Sequence, residues 1–457
     1  MKNCFFCLVS VLCFLLVACD DSKDVDKKYD VYGCSPEGIN KAAYDYLQDW
    51  YLWYEHLPEI NPADYETLSD MIKAVKYREG DTLIDRFSYA ITKSEHDDYY
   101  SGKRYGMGLS WMRDENDLLY ISMVYPGSPA YDAKLRRGQR VIAVNDVTVE
   151  ELDANAEYNR EHRSDADFAA KTDWNNVYNA ENQGEAVKFL VLENSSEEEF
   201  ETTVYLDDYT SKSVLASKII ENNGVKTGYV HLKSFIKPSK TELDEVFAEF
   251  KDEKIEQIIL DLRYNGGGLV NVAEYLIDLI GGSKVNGKNI IKIIYNDKHK
   301  DSNSSYKGQV LKNSLNGVKK VAVIVSSGTA SASEMVINSL KPFVDVTLFG
   351  KTTYGKPVGM NSLDICDQTI VPITFKYTNS ENYGDFFLGM DVDCNSEDDF
   401  RHDFGDVEES GVRNALYYWE NNKCLEEVSE RNILKRKTIE KLIPGELKGM
   451  GKIDYTF

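Results

Sequence analysis

A cluster of hydroxyl side chains stands where an apolar run gives way to the start of a predicted helix. Residues 326–340 read SSGTASASEMVINSL and follow VAVIV at 321–325. A serine at a helix N-terminus lies beside unpaired backbone N–H groups and the positive end of the helix dipole, which would stabilise an oxyanion during acyl transfer. Ser331 with Glu334 also fits a capping box, S-x-x-E, so an ordinary helix cap is the alternative. Ser333 is the nearest rival hydroxyl.

A glycine turn supplies a second candidate element. The stretch DLRYNGGGLV at 261–270 places three consecutive glycines after an apolar strand. Glycines allow positive φ and close backbone approach, so that their N–H groups can point at a ligand. A tight strand-to-helix turn is the alternative. If both turns end strands of one sheet, they meet at the edge where open α/β sheets bind ligands.

The base that a serine nucleophile needs is not indicated by any of the six histidines, none of which stands in a local pattern. Lysine can take this role in Ser–Lys catalysis. FGKTTYGK at 349–356 offers Lys351 and Lys356, each just after a glycine. A lysine that is neutral near pH 7 needs its pKa lowered from 10.4 to about 7–8, which takes roughly 4 kcal/mol of burial and positive surroundings. Two solvated turn lysines are the alternative.

The elements that would position these residues change in character along the chain. With 42% hydrophobic residues, the chain can form packed cores, and its length suits two or three domains. We predict a multidomain α/β protein. It begins with a small N-terminal helical domain at 39–100, followed by a β-rich module at 101–207, in which 152–184 is an inserted helix or a mobile loop. A layered α/β domain of alternating strands and helices occupies 208–424. Residues 425–457 form a docked helix or a loose tail.

The N-terminus has the features of an export signal. Lys2 precedes a short apolar stretch, and LVAC at 16–19 resembles a bacterial lipobox. This predicts a lipoprotein signal peptide at 1–18, lipidation of Cys19 and a polar tether at 19–38, whereas an ordinary signal peptide cut nearby is the alternative. The expected location is the bacterial cell envelope, with the membrane contacted through the lipid.

The net charge limits the classes of partner that the protein can bind. The net charge is −23 without clustered Lys or Arg, which argues against nucleic acid as a partner.

After loss of the signal peptide and lipidation of Cys19, an even number of cysteines remains. They allow three disulfide pairings or could be four buried thiols, and the sequence does not choose among these. The four are Cys34, Cys366, Cys394 and Cys424.

A weak calcium-loop pattern occurs in DVDCNSEDDFRH at 391–402. It lacks the glycine at its sixth position, which is Ser396, and has His402 where a glutamate should stand. We therefore predict no metal and no cofactor.

Taken in order, YGMGL, VYPGSPAYDAKLRRGQRVIAVND, DLRYNGGG, TASASE and TYGK resemble the C-terminal processing (tail-specific) serine proteases, over about residues 100–400. The resemblance implies a PDZ domain before a crotonase/ClpP-like layered α/β protease core with a Ser–Lys dyad. It implies Ser331 as nucleophile and Lys356 as base, with Lys351 not implicated. It also implies an oxyanion hole from the N–H groups of Gly267 and Ala332.

Three positions bear on the dyad. Many members place a glutamine four residues after the lysine to orient it, and Met360 stands there in this chain. Some members carry an acidic residue where this chain has Pro342. Either other groups orient the lysine, or the activity is weakened. Histidine-using relatives carry His in the segment that resembles LIDRFSY, where Phe87 stands here, which favours the lysine version.

The YGMGL stretch has a separate role in this resemblance. The N–H groups of Met107, Gly108 and Leu109 could capture a terminal carboxylate, while the following strand pairs with the bound peptide. A purely structural β-module is the alternative.

These features predict a serine endopeptidase that cleaves unfolded or tail-tagged polypeptides through an acyl-enzyme. A non-catalytic peptide- or ligand-binding surface lipoprotein is the second hypothesis. A protease held latent by the PDZ domain or by the 425–457 tail is the third. The sequence indicates no oligomeric state.

Overall fold

The computed structural model describes most of the chain, in five ranges: 28–29, 32–164, 168–178, 182–194 and 198–425. The predicted signal peptide, Cys19, most of the tether before Ser35 and the tail from residue 426 onward lie outside these ranges. No helix within the described ranges is long and apolar enough to cross a membrane.

The N-terminal part begins with a well-capped helix, since the Ser35 side chain accepts the N–H of Gly38 and proline occupies the first helical position. It also contains short strands that the helical prediction did not include. Its elements are α1 (Pro36–Trp50), two 3-10 turns (Tyr54–His56 and Pro62–Asp64), α2 (Leu68–Val75), β1 (Arg78–Glu79), β2 (Thr82–Leu83), β3 (Tyr89–Thr92) and α3 (Lys93–Ser101).

The next part is rich in short strands, as predicted. Its elements are β4 (Lys103–Gly106), β5 (Leu109–Arg113), β6 (Leu119–Val124), α4 (Pro129–Asp132), β7 (Arg140–Val144), β8 (Val147–Thr148), α5 (Val149–His162), α6 (Trp174–Tyr178), β9 (Ala186–Leu192), β10 (Glu199–Tyr205) and β11 (Asp207–Thr210). The main sheet has the order β10-β9-β7-β6-β5, with β8 paired to β7, so β5 lies at its end. In the described residues of 152–184 the chain forms helices, which supports the inserted-helix alternative.

The third part alternates strands and helices. Its elements are β12 (Val214–Asn222), β13 (Val225–Leu232), α7 (Ser239–Asp252), β14 (Gln257–Asp261), α8 (Val270–Gly281), a 3-10 turn (Gly282–Lys284), β15 (Asn289–Tyr295), a second 3-10 segment (Asp297–Ser302), β16 (Ser304–Lys307), β17 (Lys320–Val325), α9 (Ala332–Leu340), β18 (Asp345–Gly350), β19 (Val358–Met360), β20 (Leu363–Ile365), β21 (Gln368–Val371), β22 (Ile373–Asn379), β23 (Cys394–Asn395) and α10 (Ser410–Asn421).

The central sheet of this part has the order β12-β13-β14-β17-β18-β23 and is parallel except for β12. The middle parts of β14 and β17 are continuously apolar, which is typical of parallel strands that are covered on both faces. On β14, Ile258 and Leu260 pack into the cluster that includes α7, α8 and α9, while Ile259 packs into the cluster that includes α10. The period-two alternation of strand side chains produces these two layers.

The N-terminal helices share their core with the third part and do not form one of their own. Leu47 and Phe87 lie in one buried cluster with Ile365, Ile370 and Ile373. Strand β3 joins the sheet β20-β21-β3 through antiparallel pairs with β21. A single amphipathic helix gains most of its stability from such packing, so these helices depend on residues that are distant in sequence.

The four cysteines within the described ranges form two disulfides, Cys34–Cys366 and Cys394–Cys424, with Cα–Cα distances of 5.8 and 5.4 Å. The sequence left these pairings open. The first links residues 332 positions apart and fastens the start of α1 to the β20–β21 hairpin. The second fastens the end of α10 to β23.

Candidate functional site

Three neighbouring parallel strands end at one edge of the central sheet, and each is followed by one of the predicted turns. Strand β14 leads to the glycine turn, β17 to the serine turn and β18 to the lysine turn. Strand β17 pairs with both of the others. The prediction that the glycine and serine turns meet at one sheet edge is confirmed, and the lysine turn lies at the same edge.

Ser331 occupies the last position before α9 in an unusual backbone conformation, with φ 57° and ψ −116°. Positive φ is uncommon for a residue with a side chain. Such strain costs of order 1–3 kcal/mol and concentrates at functional sites. Ser331 is partly exposed, whereas Ala332 and Ser333 are buried. The strained turn therefore presents the Ser331 side chain at the surface of the edge.

Ser333, the rival hydroxyl, has a structural contact. Its Oγ donates a hydrogen bond to the carbonyl oxygen of Asn265 at 3.0 Å. Thr329 behaves similarly, since its Oγ1 donates to the carbonyl oxygen of Leu262 at 2.8 Å. Both hydroxyls join the serine turn to the segment that carries the glycine turn, which leaves Ser331 as the better placed nucleophile.

The carboxylate of Glu334 links the serine turn to the lysine turn. Its Oε2 accepts the backbone N–H of Ser331 at 3.0 Å and that of Lys356 at 2.8 Å. Its Oε1 accepts the N–H of Gly355 at 2.8 Å and the hydroxyl of Thr353 at 2.5 Å. Glu334 is fully buried, and burial raises the pKa of its carboxyl group while these hydrogen bonds oppose the shift. One side chain thus holds both candidate dyad residues by their backbone.

Tyr377 on β22 reinforces this link from the second sheet. Its hydroxyl lies 3.1 Å from the carbonyl oxygen of Ser331 and 3.2 Å from that of Lys356, in position to donate to either. Burial keeps the pKa of Tyr377 well above its ordinary value, so the hydroxyl stays a neutral donor. Nothing in the local sequence nominated Tyr377, and Glu334 was recognised only as a helix-cap partner.

The two candidate lysines differ in their burial and in the charges around them. Lys356 is buried, with 6% of its surface exposed, and burial lowers its pKa from the ordinary 10.5 to about 8. The negative charges of Asp85 and Glu334 oppose this shift. Lys351 is partly exposed and pairs with Glu397 at 2.8 Å. At pH 7 about a tenth of Lys356 is therefore neutral and able to accept a proton.

The N-terminal part forms one wall around Lys356. The ring centroid of Phe87 lies 5.4 Å from Lys356 Nζ, so position 87 faces the candidate base. Asp85 is held nearby, because its Oδ1 accepts the N–H groups of Phe87 and Ser88 at 3.0 and 2.9 Å. Its Oδ2 accepts the hydroxyl of Tyr51 at 2.6 Å. The sequence did not nominate Asp85, which lies 271 residues before the lysine.

Met360 contacts the lysine directly. Lys356 Nζ donates a hydrogen bond to Met360 Sδ at 3.3 Å. Within the described part of the chain, the structure contains no hydrogen bond between the Ser331 hydroxyl and Lys356 Nζ. Such contacts are often long in ligand-free enzymes and tighten when substrate binds.

The predicted oxyanion groups lie side by side. Gly267 has φ 106°, and a Cβ there would lie 2.8 Å from Ser331 Cβ and 2.9 Å from the nitrogen of Ala332. Only glycine permits this approach. The N–H of Gly267 donates to Asn265 Oδ1 at 2.9 Å, whereas the N–H of Ala332 has no hydrogen-bond partner among the described residues. Both oxyanion roles stay predictions, and that of Gly267 requires its N–H to turn from Asn265.

The predicted carboxylate loop precedes β5, the end strand of its sheet. The carbonyl oxygens of Met107 and Gly108 accept the N–H groups of Ala130 and Tyr125, both at 2.9 Å. Gly108 has φ 77°, and a Cβ there would lie 2.2 Å from Ser128 Cβ. These two loop carbonyl oxygens are hydrogen-bonded within the sheet module, and β5 is the end strand of its sheet. This arrangement suits the addition of a peptide as a further strand beside β5. The N–H roles of Met107, Gly108 and Leu109 stay predictions.

The charge of Asp85 gives a testable pH effect. Because Asp85 raises the pKa of Lys356, the Asp85→Asn variant should lower that pKa and shift the rising limb of the pH–rate profile to lower pH. The amide oxygen of asparagine can still accept the N–H groups of Phe87 and Ser88. The measurement is kcat/KM for a peptide between about pH 5 and 9, in both proteins. An unmoved limb, or one shifted to higher pH, would contradict the assigned electrostatics.

Three segments of the chain match models of known protein families. Residues 226–395 match peptidase family S41, residues 38–89 match the peptidase S41 N-terminal domain, and residues 120–164 match a PDZ domain. The first of these matches includes Ser331 and Lys356, so the segment that carries the candidate site is similar to peptidase family S41.

Curated relatives are similar at low identity. A carboxy-terminal processing protease of Bacillus subtilis is 26% identical over 278 residues, covering 61% of this chain and 53% of the relative. A carboxyl-terminal-processing protease of Picosynechococcus is 24% identical over 277 residues, covering 60% and 59%. This chain therefore matches only a little over half of the length of these relatives.

A crystal structure described as an S41 protease from Bacteroides fragilis has a similar fold. It aligns with a TM-score of 0.67 at 21% identity, covering 83% of this chain and 97% of that one. At this identity the likeness concerns the fold alone.

Proposed function

We propose that this protein is a serine endopeptidase of the C-terminal processing type, with Ser331 as nucleophile and Lys356 as general base. The observation that carries the proposal is the Glu334 carboxylate, which accepts the backbone N–H groups of both residues through a single oxygen. The buried lysine, with its pKa lowered to about 8, supports the role of base.

The reaction follows from these positions. Ser331 Oγ attacks the scissile carbonyl carbon while its proton passes to the neutral Lys356 Nζ. The N–H groups of Ala332 and Gly267 stabilise the oxyanion that forms. Lys356 then returns the proton to the leaving amine, and the C–N bond breaks to leave an ester on Ser331. Lys356 next takes a proton from water, which attacks the ester carbon, and then returns that proton to Ser331 Oγ as the C–O bond breaks and the new carboxyl end leaves.

The proposed substrate is an unfolded or tail-tagged polypeptide. Its C-terminal carboxylate would bind the N–H groups of Met107, Gly108 and Leu109, while the preceding residues would pair with β5. The hydrogen-bonded carbonyl oxygens of Met107 and Gly108, together with the end position of β5 in its sheet, support this mode of peptide binding. The PDZ-like sheet would thereby select chains by their ends before the dyad cleaves them.

The proposed location is the bacterial cell envelope, with a lipid on Cys19 after removal of residues 1–18. Two disulfides support export, because disulfides persist mainly in oxidising compartments. An exported enzyme near a membrane would meet unfolded envelope proteins as substrates.

A non-catalytic binding role is the second candidate. The observation in its favour is that Lys356 Nζ donates to Met360 Sδ, while no described hydrogen bond joins it to Ser331. A protein of this kind would capture peptides at the β5 edge without cleaving them.

The test is cleavage of an unfolded protein by the purified chain, with products mapped by mass spectrometry. Ser331→Ala should abolish cleavage while leaving the fold intact, and Ser327→Ala, at an exposed serine of the same turn, should cleave normally. If the wild-type protein binds the substrate but does not cleave it between about pH 6 and 9, the binding role replaces the enzymatic one.

A further inference from the structure

We propose that Leu388 is a specificity-determining residue. It contacts the leaving segment of the substrate, meaning the residues that follow the scissile bond, and favours apolar side chains there. This inference deepens the proposed function and rests on it, because it concerns the reaction at the same dyad. It starts from the apolar turn, residues 386–389 with the sequence FFLG. The N–H of Gly389 donates to the carbonyl oxygen of Phe386 at 2.9 Å and closes this turn.

Two glycines let the apolar turn pack directly against the backbone of the lysine turn. Gly355 has φ 87°, and a Cβ there would lie 2.5 Å from the carbonyl oxygen of Phe387. Gly389 has φ 92°, and a Cβ there would lie 2.2 Å from the carbonyl oxygen of Thr353. A side chain at either glycine would push the two turns apart. Since Gly355 directly precedes Lys356, the apolar turn lies beside the segment that carries the candidate base.

Side chains from two other segments fix the apolar turn in this position. Arg86 Nη2 donates to the carbonyl oxygens of Gly355 and Phe387, both at 3.3 Å, and so joins the two turns. The ring centroid of Phe386 lies 6.0 Å from that of Tyr377, whose hydroxyl contacts the backbone of both dyad residues. The apolar turn is therefore held by the same structure that holds the candidate dyad.

The fixed turn presents apolar side chains to solvent. Leu388 is 94% exposed and Phe387 is 37% exposed, whereas Phe386 and Met390 on either side are buried. A single exposed leucine needs no explanation by itself. Here, however, the exposed leucine lies on a turn that is locked against the lysine turn, so a contact with substrate would cost little ordering of the protein.

The path of the proton decides which part of the substrate meets Leu388. In the proposed reaction Lys356 gives its proton to the leaving amine, so the segment after the scissile bond approaches the lysine turn. The N–H groups of Gly267 and Ala332 bind the carbonyl on the other side of that bond. An extended chain advances about 3.3 Å per residue, so the first few residues of the leaving segment pass the apolar turn. Apolar side chains among them bury surface against Leu388.

The experiment compares kcat/KM for peptides that differ only in the leaving segment. Cleavage sites in an unfolded protein are first mapped by mass spectrometry. Peptides built on a cleaved sequence then carry leucine, glutamate or lysine at the first or second position after the cleaved bond. Wild type should prefer leucine over glutamate by at least about tenfold at one of these positions. Leu388→Glu should lose this preference and favour lysine, and Leu388→Lys should favour glutamate. The readout is a ratio between substrates, so a general loss of activity cancels.

Val225→Glu is the matched control. Val225 is 44% exposed and begins β13, which runs parallel to β14, so it lies at the edge of the central sheet opposite to the turns. This variant should keep the wild-type ratios. Equal kcat/KM for the leucine and glutamate peptides in wild type would overturn the proposal, as would ratios that Leu388→Glu and Leu388→Lys leave unchanged.

A binding measurement separates this inference from the proposed function. Fluorescence anisotropy follows binding of leaving fragments that begin with leucine or glutamate to the Ser331→Ala protein. The fragments end in an amide, so that they offer no carboxylate to the loop before β5. If wild type cleaves nothing, the proposed function fails. The inference then stands or falls on whether the leucine fragment binds at least about tenfold more tightly than the glutamate fragment, and whether adding Leu388→Glu removes this difference.

Other occupants of the apolar turn are separate outcomes of the test. A dimer in sedimentation that becomes a monomer in Leu388→Glu would identify a second copy of the chain. Binding to vesicles of phosphatidylethanolamine and phosphatidylglycerol that is lost in this variant would identify a lipid surface. Either result, together with unchanged peptide ratios, would overturn the assignment of Leu388 to substrate.

Discussion

Replacing Lys356 with methionine should abolish peptide cleavage and stabilise the fold at neutral pH. Methionine has a similar length and no charge, so it fits an apolar site without the cost of burying an ammonium group. Loss of the base should lower kcat/KM by at least about 10³-fold. The measurements are peptide cleavage and unfolding in urea, each beside wild type.

The stability gain depends on pH in a defined direction. Folding lowers the pKa of Lys356 from 10.5 to about 8, so the unfolded chain binds more protons between these values. The cost of burying the lysine is full below about pH 8, amounts to about 3 kcal/mol, and disappears as the pH rises toward 10.5. Lys356→Met should therefore stabilise at pH 7 and have little effect near pH 10.

Lys351→Met is the matched control. Lys351 precedes Lys356 in the same segment, but it is partly exposed and pairs with Glu397. Its replacement should change stability by less than about 1 kcal/mol and leave cleavage unchanged. If Lys356→Met retained activity, or destabilised the protein at pH 7, the assignment of Lys356 as a buried base would be wrong.

Glu334→Gln should have the second large effect. The carboxylate of Glu334 accepts three backbone N–H groups and one hydroxyl. An amide turns an NH2 group toward two of these donors and leaves them unsatisfied, which should cost about 2–4 kcal/mol of stability. Because the same contacts hold Ser331 and Lys356 together, kcat/KM should fall at least about 100-fold.

Urea unfolding and peptide cleavage measure these two effects. Glu253→Gln is the control, since Glu253 at the end of α7 is exposed and forms an ion pair with Lys226. Full activity in a destabilised Glu334→Gln protein would show that the carboxylate supports the fold without positioning the dyad. Unchanged stability would contradict the hydrogen-bond network itself.

Sequence patterns could indicate only the local parts of the candidate site. Ser331, Lys356 and the glycine turn each follow an apolar strand, and parallel strands bring their ends to one edge. Glu334 was visible only as a helix-cap partner, because its contacts with Gly355 and Lys356 cross from one turn to another. Tyr377 and Asp85 approach from other sheets and segments, and no spacing rule connects them to the dyad.

The overall fold could also be predicted from the sequence only where its contacts are local. The alternating strands and helices of the third part could be predicted from apolar periodicity, whereas the sharing of one core by α1 and the β20–β21 hairpin could not. The Cys34–Cys366 disulfide joins these two regions across 332 residues. Contacts at such separation depend on the final topology, so four cysteines alone left three pairings open.

The central claim is that Ser331 is a nucleophile activated by Lys356, and covalent labelling tests it most directly. A fluorophosphonate probe should modify Ser331 in the wild-type protein, with the site mapped by mass spectrometry. Labelling should be much slower in Lys356→Met and should not move to Ser333 in Ser331→Ala. An unlabelled wild-type protein, or a label on another serine, would contradict the account.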